Sequence, residues 1–261
     1  MCHLQVRKAS SFLLLSLLVA PAVAQHSQVS SVAVDPLDPT RVWVCDRDND
    51  SVSRIDTTSG TAVQIHVGVS PRSLAVTPDG ARVLVANQRG NVPLEVNFVT
   101  PFSGNEVRGT ISVISTATNS VVAELTNVGT EPYGIAIAPN AKWFAVSGFR
   151  SGTIKFYDLA TLGLLYTHQY ERNLNFITQG TVADQDANRD GLADLSDPRG
   201  FTIRADSSRM YVTHHKSPYV SVLDIALDAN GLVTGTSLAA KIDFNDYGFD
   251  PFYNPLPVQT I

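Results

Sequence analysis

The chain has 261 residues, of which 44% are hydrophobic and 16% charged, with 19 basic residues, 24 acidic residues and a formal charge of −5. An acidic chain without a basic run offers a phosphate backbone little to neutralise, so nucleic acid is not an expected partner. Its only cysteines are Cys2 and Cys45, which excludes a disulfide-rich scaffold.

Residues 1–24 read as a secretory signal peptide. Arg7 and Lys8 give a positive start, Phe12 to Val19 an apolar run, and Ala22-Val23-Ala24 a small-residue cleavage site before Gln25. That run is too short for a comfortable membrane span, and no other segment approaches the required length. The mature chain is therefore expected to be exported, to periplasm, cell surface or medium, with no span of its own. Cleavage would remove Cys2 and two of the 19 basic residues but no acid, leaving 17 against 24 and a formal charge of −7. Cys45 would then stand alone, read as a small core residue. About 235 residues remain, ample for an all-β core.

From residue 30 onward one phrase recurs: Pro-x-(Ser/Gly)-x-(Ala/Thr)-(Ile/Val), about ten residues, then a hydrophobic segment opening on Arg or Lys. It reads Pro71-Arg-Ser-Leu-Ala-Val with Arg82, Pro132-Tyr-Gly-Ile-Ala-Ile with Lys142, and Pro198-Arg-Gly-Phe-Thr-Ile with Arg209. Ser31-Val-Ala-Val with Arg41 is a fourth, shortened copy. Near-continuous apolar runs of this kind suit an inner strand buried on both faces. Turn chemistry follows each: Pro36-Leu-Asp-Pro, Pro78-Asp-Gly, Pro139-Asn-Ala and Asp206-Ser-Ser.

Second segments are Val42-Trp-Val-Cys, Val83-Leu-Val-Ala-Asn, Trp143-Phe-Ala-Val-Ser and Met210-Tyr-Val-Thr-His. Third segments (Ser51 to Asp56, Thr110 to Ser115, Thr153 to Asp158, Tyr219 to Asp224) alternate apolar and polar residues, which predicts strands with one buried face. Weaker fourth segments (Ala62 to Val67, Ser120 to Leu125, Gly163 to Thr167, Leu238 to Ile242) predict outer edges. The expected fold is an all-β propeller of four-stranded antiparallel blades. Its blades would cover about residues 30–67, 73–125, 134–167 with an insertion 168–197, and 198–242, leaving a tail 243–261.

Over residues 30–242 the chain resembles the YVTN family of β-propeller repeats, named for a Tyr-Val-Thr-Asn strand end. Here that tetrad is Tyr211-Val-Thr-His214, with Leu84-Val-Ala-Asn87 as its nearest variant. The resemblance implies an exported or surface-layer-like protein, and relatives include lactonases, electron-transfer subunits and amine dehydrogenase chains. Family propellers more often close with about seven blades, so the four present are expected to belong to a larger ring. An arc would leave the flanks of its end blades apolar and prone to self-association.

The segments opening on Arg41, Arg82, Lys142 and Arg209 are spaced 41, 60 and 67 residues apart, so units two and three carry insertions of about 19 and 26 residues. The second holds Asp186-Ala-Asn188-Arg-Asp190-Gly191-Leu192-Ala-Asp194-Leu-Ser-Asp197. Side-chain oxygens at positions 1, 3, 5, 9 and 12, a carbonyl at Leu192 and a Gly at the reversal are what Ca²⁺ requires of a twelve-residue loop. Asp197 stands where a sensor EF-hand has Glu, and the loop resembles those of dockerins and thrombospondin type 3 repeats. The alternative is a solvated acidic turn. Ca²⁺, held by Asp186, Asn188, Asp190, Leu192, Asp194 and Asp197, is the expected cofactor, in a structural role.

Other constellations are weaker. Asp46-Arg-Asp48-Asn-Asp50 lacks the Gly and reads as a surface hairpin. His214-His215 would need a third ligand such as His66 or His168 to hold a metal, and the pair reads as turn histidines. Phe98 and Phe102 in the first insertion, and Phe244, Tyr247, Phe249, Phe252 and Tyr253 in the tail, read either as folding back on the blades or as a partner contact. No haem-attachment, nucleophile-elbow, phosphate-loop or dinucleotide motif is present, and no catalytic residue is singled out. The expected function is non-catalytic: a binding or scaffold module taking a protein, small-molecule or carbohydrate ligand at its loop face or channel mouth. The alternative is part of a lactonase-like hydrolase or a dehydrogenase whose catalytic parts lie outside this chain.

Overall fold

The computed structural model of the chain describes residues 29–90, 108–149, 151–170, 197–215 and 219–243. They form four sheets, each of four antiparallel strands paired in chain order. Blade 1 holds β1 (Val32–Val34), β2 (Arg41–Asp46), β3 (Ser51–Asp56) and β4 (Ala62–His66). Blade 2 holds β5 (Val69–Val76), β6 (Arg82–Gly90), β7 (Thr110–Ser115) and β8 (Ser120–Leu125). Blade 3 holds β9 (Pro132–Ile137), β10 (Trp143–Gly148), β11 (Thr153–Asp158) and β12 (Leu164–Gln169). Blade 4 holds β13 (Asp197–Ile203), β14 (Arg209–His215), β15 (Tyr219–Leu227) and β16 (Val233–Asp243). The architecture is that of a β-propeller, as the repeat predicts.

The inner strands pack side by side, β1 on β5, β5 on β9 and β9 on β13. Residues just before β1 bind two of them together: Leu74 N donates to Ser30 O (2.9 Å) and Val29 N to Phe201 O (3.1 Å). Between blades lie three apolar clusters. Trp43 and Leu74 fill the first, Phe144 stacked on Tyr157 (5.1 Å) fills the second, and Trp143 edge-on to Phe156 (5.5 Å) fills the third.

Two expectations are corrected. In blades 2 and 4 the third strand is not half-exposed, since Ser112 and Ser221 are buried with their apolar neighbours, whereas Ser53 and Lys155 at the same place in blades 1 and 3 are partly exposed as expected. Blades stack face to face, so a middle strand is covered on both sides, and its small hydroxyls survive burial by hydrogen bonding. Asn87 Nδ2, for example, donates to Ser112 Oγ (2.8 Å) and Thr110 Oγ1 (3.1 Å). Conversely, the inner strand β1 is not buried on both faces, since Val32 and Val34 are 47% and 46% exposed. It stands at one end of the row of described blades, where only one flank is covered. The outer strands β4 and β8 are exposed as expected.

Candidate functional site at the rim of the inner strands

Each of β5, β9 and β13 carries a β-bulge at its entry, and each bulge falls on the Pro-x-(Ser/Gly) step. Pro71 and Ser73 face the consecutive residues Asn87 and Ala86, leaving Arg72 with no residue opposite. The register skips likewise between Pro132 and Ile135, where Tyr133 and Gly134 oppose Ser147, and between Pro198 and Phe201, where Arg199 and Gly200 oppose Thr213. A bulge re-aims the extra side chain and is common at rims beside binding sites. The repeat thus delivers Arg72, Tyr133 and Arg199 to one rim.

Hydroxyls lock the bulges and stitch the blades. Ser73 Oγ donates to Tyr133 O (2.8 Å) and accepts from Ile135 N (3.0 Å). Ser147 Oγ accepts from Gly134 N (2.8 Å) and donates to Arg199 O (2.7 Å). The motif's glycine is required at 134: a Cβ there would stand 2.6 Å from Arg199 O and 2.7 Å from Val29 Cγ2. With the backbone fixed in this way, the three side chains stack. Arg72 Cζ lies 5.3 Å and Arg199 Cζ 5.1 Å from the Tyr133 ring centroid, and Arg199 is also 5.0 Å from that of Phe149. Guanidinium over an aromatic face is a favourable arrangement that leaves the N–H edge available to a ligand.

Polar neighbours complete the rim. Arg72 Nε donates to Gln88 Oε1 (2.7 Å), and Gln88 Nε2 to Glu131 Oε2 (3.0 Å). Arg47 Nε donates to Ser70 Oγ (3.2 Å), whose backbone N–H is taken by Asp50 Oδ1 (2.8 Å). Burial pushes the Arg72 guanidinium below its ordinary range, and the charges of Arg47 and Arg199 act in the same direction while Glu131 opposes them. Arg199 Nε is buried without a hydrogen-bond partner, a donor left to spend.

A second polar group lies inside blades 3 and 4. Tyr170 Oη and His214 Nε2 both bond Ser221 Oγ, each at 2.7 Å. His214 also packs on the rings of Tyr170 (4.9 Å) and Tyr219 (5.0 Å), and His168 likewise meets Tyr170 edge-on (4.5 Å). Burial drives the His214 pKa down to about 4, with Lys241 and His168 adding to the effect. These are not turn histidines. Both His214 and His215 lie in β14, and the pair points apart as extended backbone requires, His215 towards Phe149 (5.5 Å). His66 stands exposed in β4.

The opposite end of the inner strands is built differently. A cleft of ≈ 480 Å³ opens there, lined among others by Asp79, Arg82, Lys142 and Asp158. Its charges serve the turns: Asp79 Oδ1 accepts from Thr77 Oγ1 and Ala81 N, Asp158 Oδ1 from Ala160 N and Thr161 N, and Arg82 Nη2 donates to Leu159 O.

Of the expected calcium ligands, Asp186, Asn188, Asp190, Leu192 and Asp194 lie outside the described residues, as do Phe98, Phe102 and the aromatic tail; Asp197 opens β13, paired with His215. Asp46, Asp48 and Asp50 lie in or beside the β2–β3 hairpin turn, where Asn49 Nδ2 caps Asp46 Oδ2 (2.6 Å). Cys45 packs against the first cluster, and burial raises its thiol to about 12, so it is no thiolate nucleophile. Sequence reasoning missed the rim. Its signal was the variable position of the Pro-x step, filled by Arg, Tyr and Arg in three successive units.

No family model matches the chain, and no curated protein sequence does. Among solved structures, dihydro-heme d1 dehydrogenase NirN in complex with DHE is similar at 15% identity and a TM-score of 0.51, over 78% of this chain and 35% of that one. The chain thus spans about a third of the length of NirN. A functionally unknown protein from Desulfotomaculum acetoxidans DSM 771 is similar at 12% identity and a TM-score of 0.43, over 82% of this chain and 70% of that one. At such identity the likeness to NirN is one of fold, and it agrees with a propeller.

Proposed function

We propose that this chain is an exported, YVTN-type β-propeller that works as a non-catalytic binding module, capturing its ligand at the rim of the inner strands. The observation that carries this reading is the threefold use of one bulge to gather Arg72, Tyr133 and Arg199, with the Tyr133 and Arg199 carbonyls bonded by Ser73 and Ser147. Loops and rims set on a rigid sheet scaffold are where propellers and barrels carry specificity. A panel of small acids, phosphates and sugars, scanned by thermal shift, tests it: Tyr133→Ala is expected to abolish the shift that the best binder gives. A shift unaltered by Tyr133→Ala would place the ligand elsewhere.

Calcium belongs to the same proposal. Asp186, Asn188, Asp190, Asp194 and Asp197, with the Leu192 carbonyl, would hold the ion and fasten the long insertion where it enters β13. With millimolar Ca²⁺ and an affinity on the order of 10⁻⁴ M, linkage contributes roughly 1.4 kcal/mol. EDTA is therefore expected to lower the Tm by about 3–6 °C, and Asp186→Ala with Asp190→Ala to erase that difference. An EDTA-insensitive melt would reduce the loop to a solvated turn. The reading as part of an enzyme or electron-transfer subunit takes its support from the likeness to a dehydrogenase, which reaches the fold only.

A further inference from the structure

We infer that the rim is an oxyanion site, taking a small ligand through a carboxylate or phosphate group met by the guanidiniums of Arg72 and Arg199; this rests on the rim being the ligand site. Three observations converge on that chemistry. The guanidiniums of Arg72 and Arg199 are stacked on one ring, Tyr133, and so share a fixed locus. Fixing two forks by stacking removes the rotamer freedom that a flexible cation would lose on binding, and the Nη groups are what they would offer a planar or tetrahedral oxyanion.

Charge points the same way. Among the described groups, Arg47 and Arg199 act on Arg72 as like charges, while Tyr133 and Glu131 oppose them, and Gln88 bonds Glu131. Holding like charges at one rim costs free energy that a bound anion would return. The third observation is the buried Nε of Arg199, which has no hydrogen-bond partner although Arg199 O and Gly200 N beside it are both bonded. A buried donor without an acceptor is rare, and an anion drawn onto the Arg199 guanidinium would supply one.

Tyr133 and Phe149, with ring centroids 6.1 Å apart and tilted at 43°, both carry the Arg199 guanidinium and fix its place. The ligand class is therefore a small acid whose anionic group meets the arginines. Carboxylate and phosphate share this chemistry, and the experiment separates them.

The test is calorimetric titration of the full chain with citrate and, separately, with inorganic phosphate. Each is run at about 0.02 M and about 0.3 M ionic strength, across which the Debye length falls well below the span of the rim. Binding of one of them, weaker at high salt, is expected. Arg72→Gln and Arg199→Gln should each weaken it roughly ten- to hundred-fold, the usual worth of a charge-assisted hydrogen bond. Arg204→Gln, at an arginine paired with Asp206 on blade 4, should leave it unchanged. The stronger of the two probes assigns the anion as carboxylate or phosphate. Arg72 is part-exposed, so its variant keeps the test open should Arg199→Gln fail to fold. Absence of binding by both anions, or binding undiminished in both arginine variants, overturns the oxyanion assignment. A neutral sugar lost in Tyr133→Ala but retained in both arginine variants would overturn it too, while preserving the rim as the ligand site.

Discussion

The inner strands of blades 2, 3 and 4 have two ends made in opposite ways. At the turn end one device is repeated: Gly80, Ala141 and Ser207 all adopt left-handed backbone, with φ of 64°, 56° and 61°. Each donates its N–H three residues back, to Thr77 O, Ala138 O and Arg204 O. The residue before each, Asp79, Asn140 or Asp206, accepts the N–H two residues on, at Ala81, Lys142 or Ser208. Side-chain chemistry there is consumed in making the turn. At the rim end the backbone is again alike, one bulge per strand, but the side chains differ and project. One end specifies the fold, and the other is free to specify a ligand.

Gly134→Ala strikes the rim end hardest. Its Cβ would meet two fixed groups on β13 and before β1, so a loss of about 3 kcal/mol is expected, the upper range for overpacking. Chemical denaturation measures it, and the same variant should displace Arg199 and weaken any ligand. A neutral outcome would mean that the bulge is not locked as described.

Acid tests the polar core beneath the rim. His214 is buried neutral, with its pKa near 4 against 6.5 for the free side chain. Below pH 6.5 the unfolded chain binds a proton that the folded one refuses, so stability falls from pH 6.5 down to about 4 and levels off beneath. The full effect is about 3 kcal/mol. His214→Asn, which restores the residue found at the equivalent Asn87, should flatten that decline. An unchanged pH profile would show that other groups govern acid unfolding.

At the turn end the expected effect is smaller and of opposite sign. Ala141→Gly relieves a left-handed alanine and should raise stability by about 0.5–1 kcal/mol, without touching ligand affinity. A loss of stability, or altered affinity, would break the division between the two ends.

Much of the fold was legible because the repeat writes it in backbone terms. Proline before the bulge, Gly or Ser within it, and Asp or Asn in the turn each have one local job, and three copies make the pattern plain. What the sequence hid were facts of neighbourhood. Ser112 and Ser221 alternate as if solvent-facing, yet a stacked blade buries them; Val32 and Val34 read as core, yet no described blade covers them. The rim was hidden for the same reason. Arg72, Tyr133 and Arg199 stand more than 60 residues apart in successive pairs, and only the side-by-side packing of β5, β9 and β13 makes them one surface. His214 was misplaced because a strand end and a turn look alike until Tyr170 arrives from blade 3 to bury it.

Hydrogen–deuterium exchange of the full chain, with and without saturating citrate or phosphate, tests most directly that the rim is the binding end. Protection is expected at residues 69–73, 132–135 and 198–201, with residues 77–82 and 138–142 unchanged. Protection centred on the turn end, or none at all under saturating anion, would contradict the account.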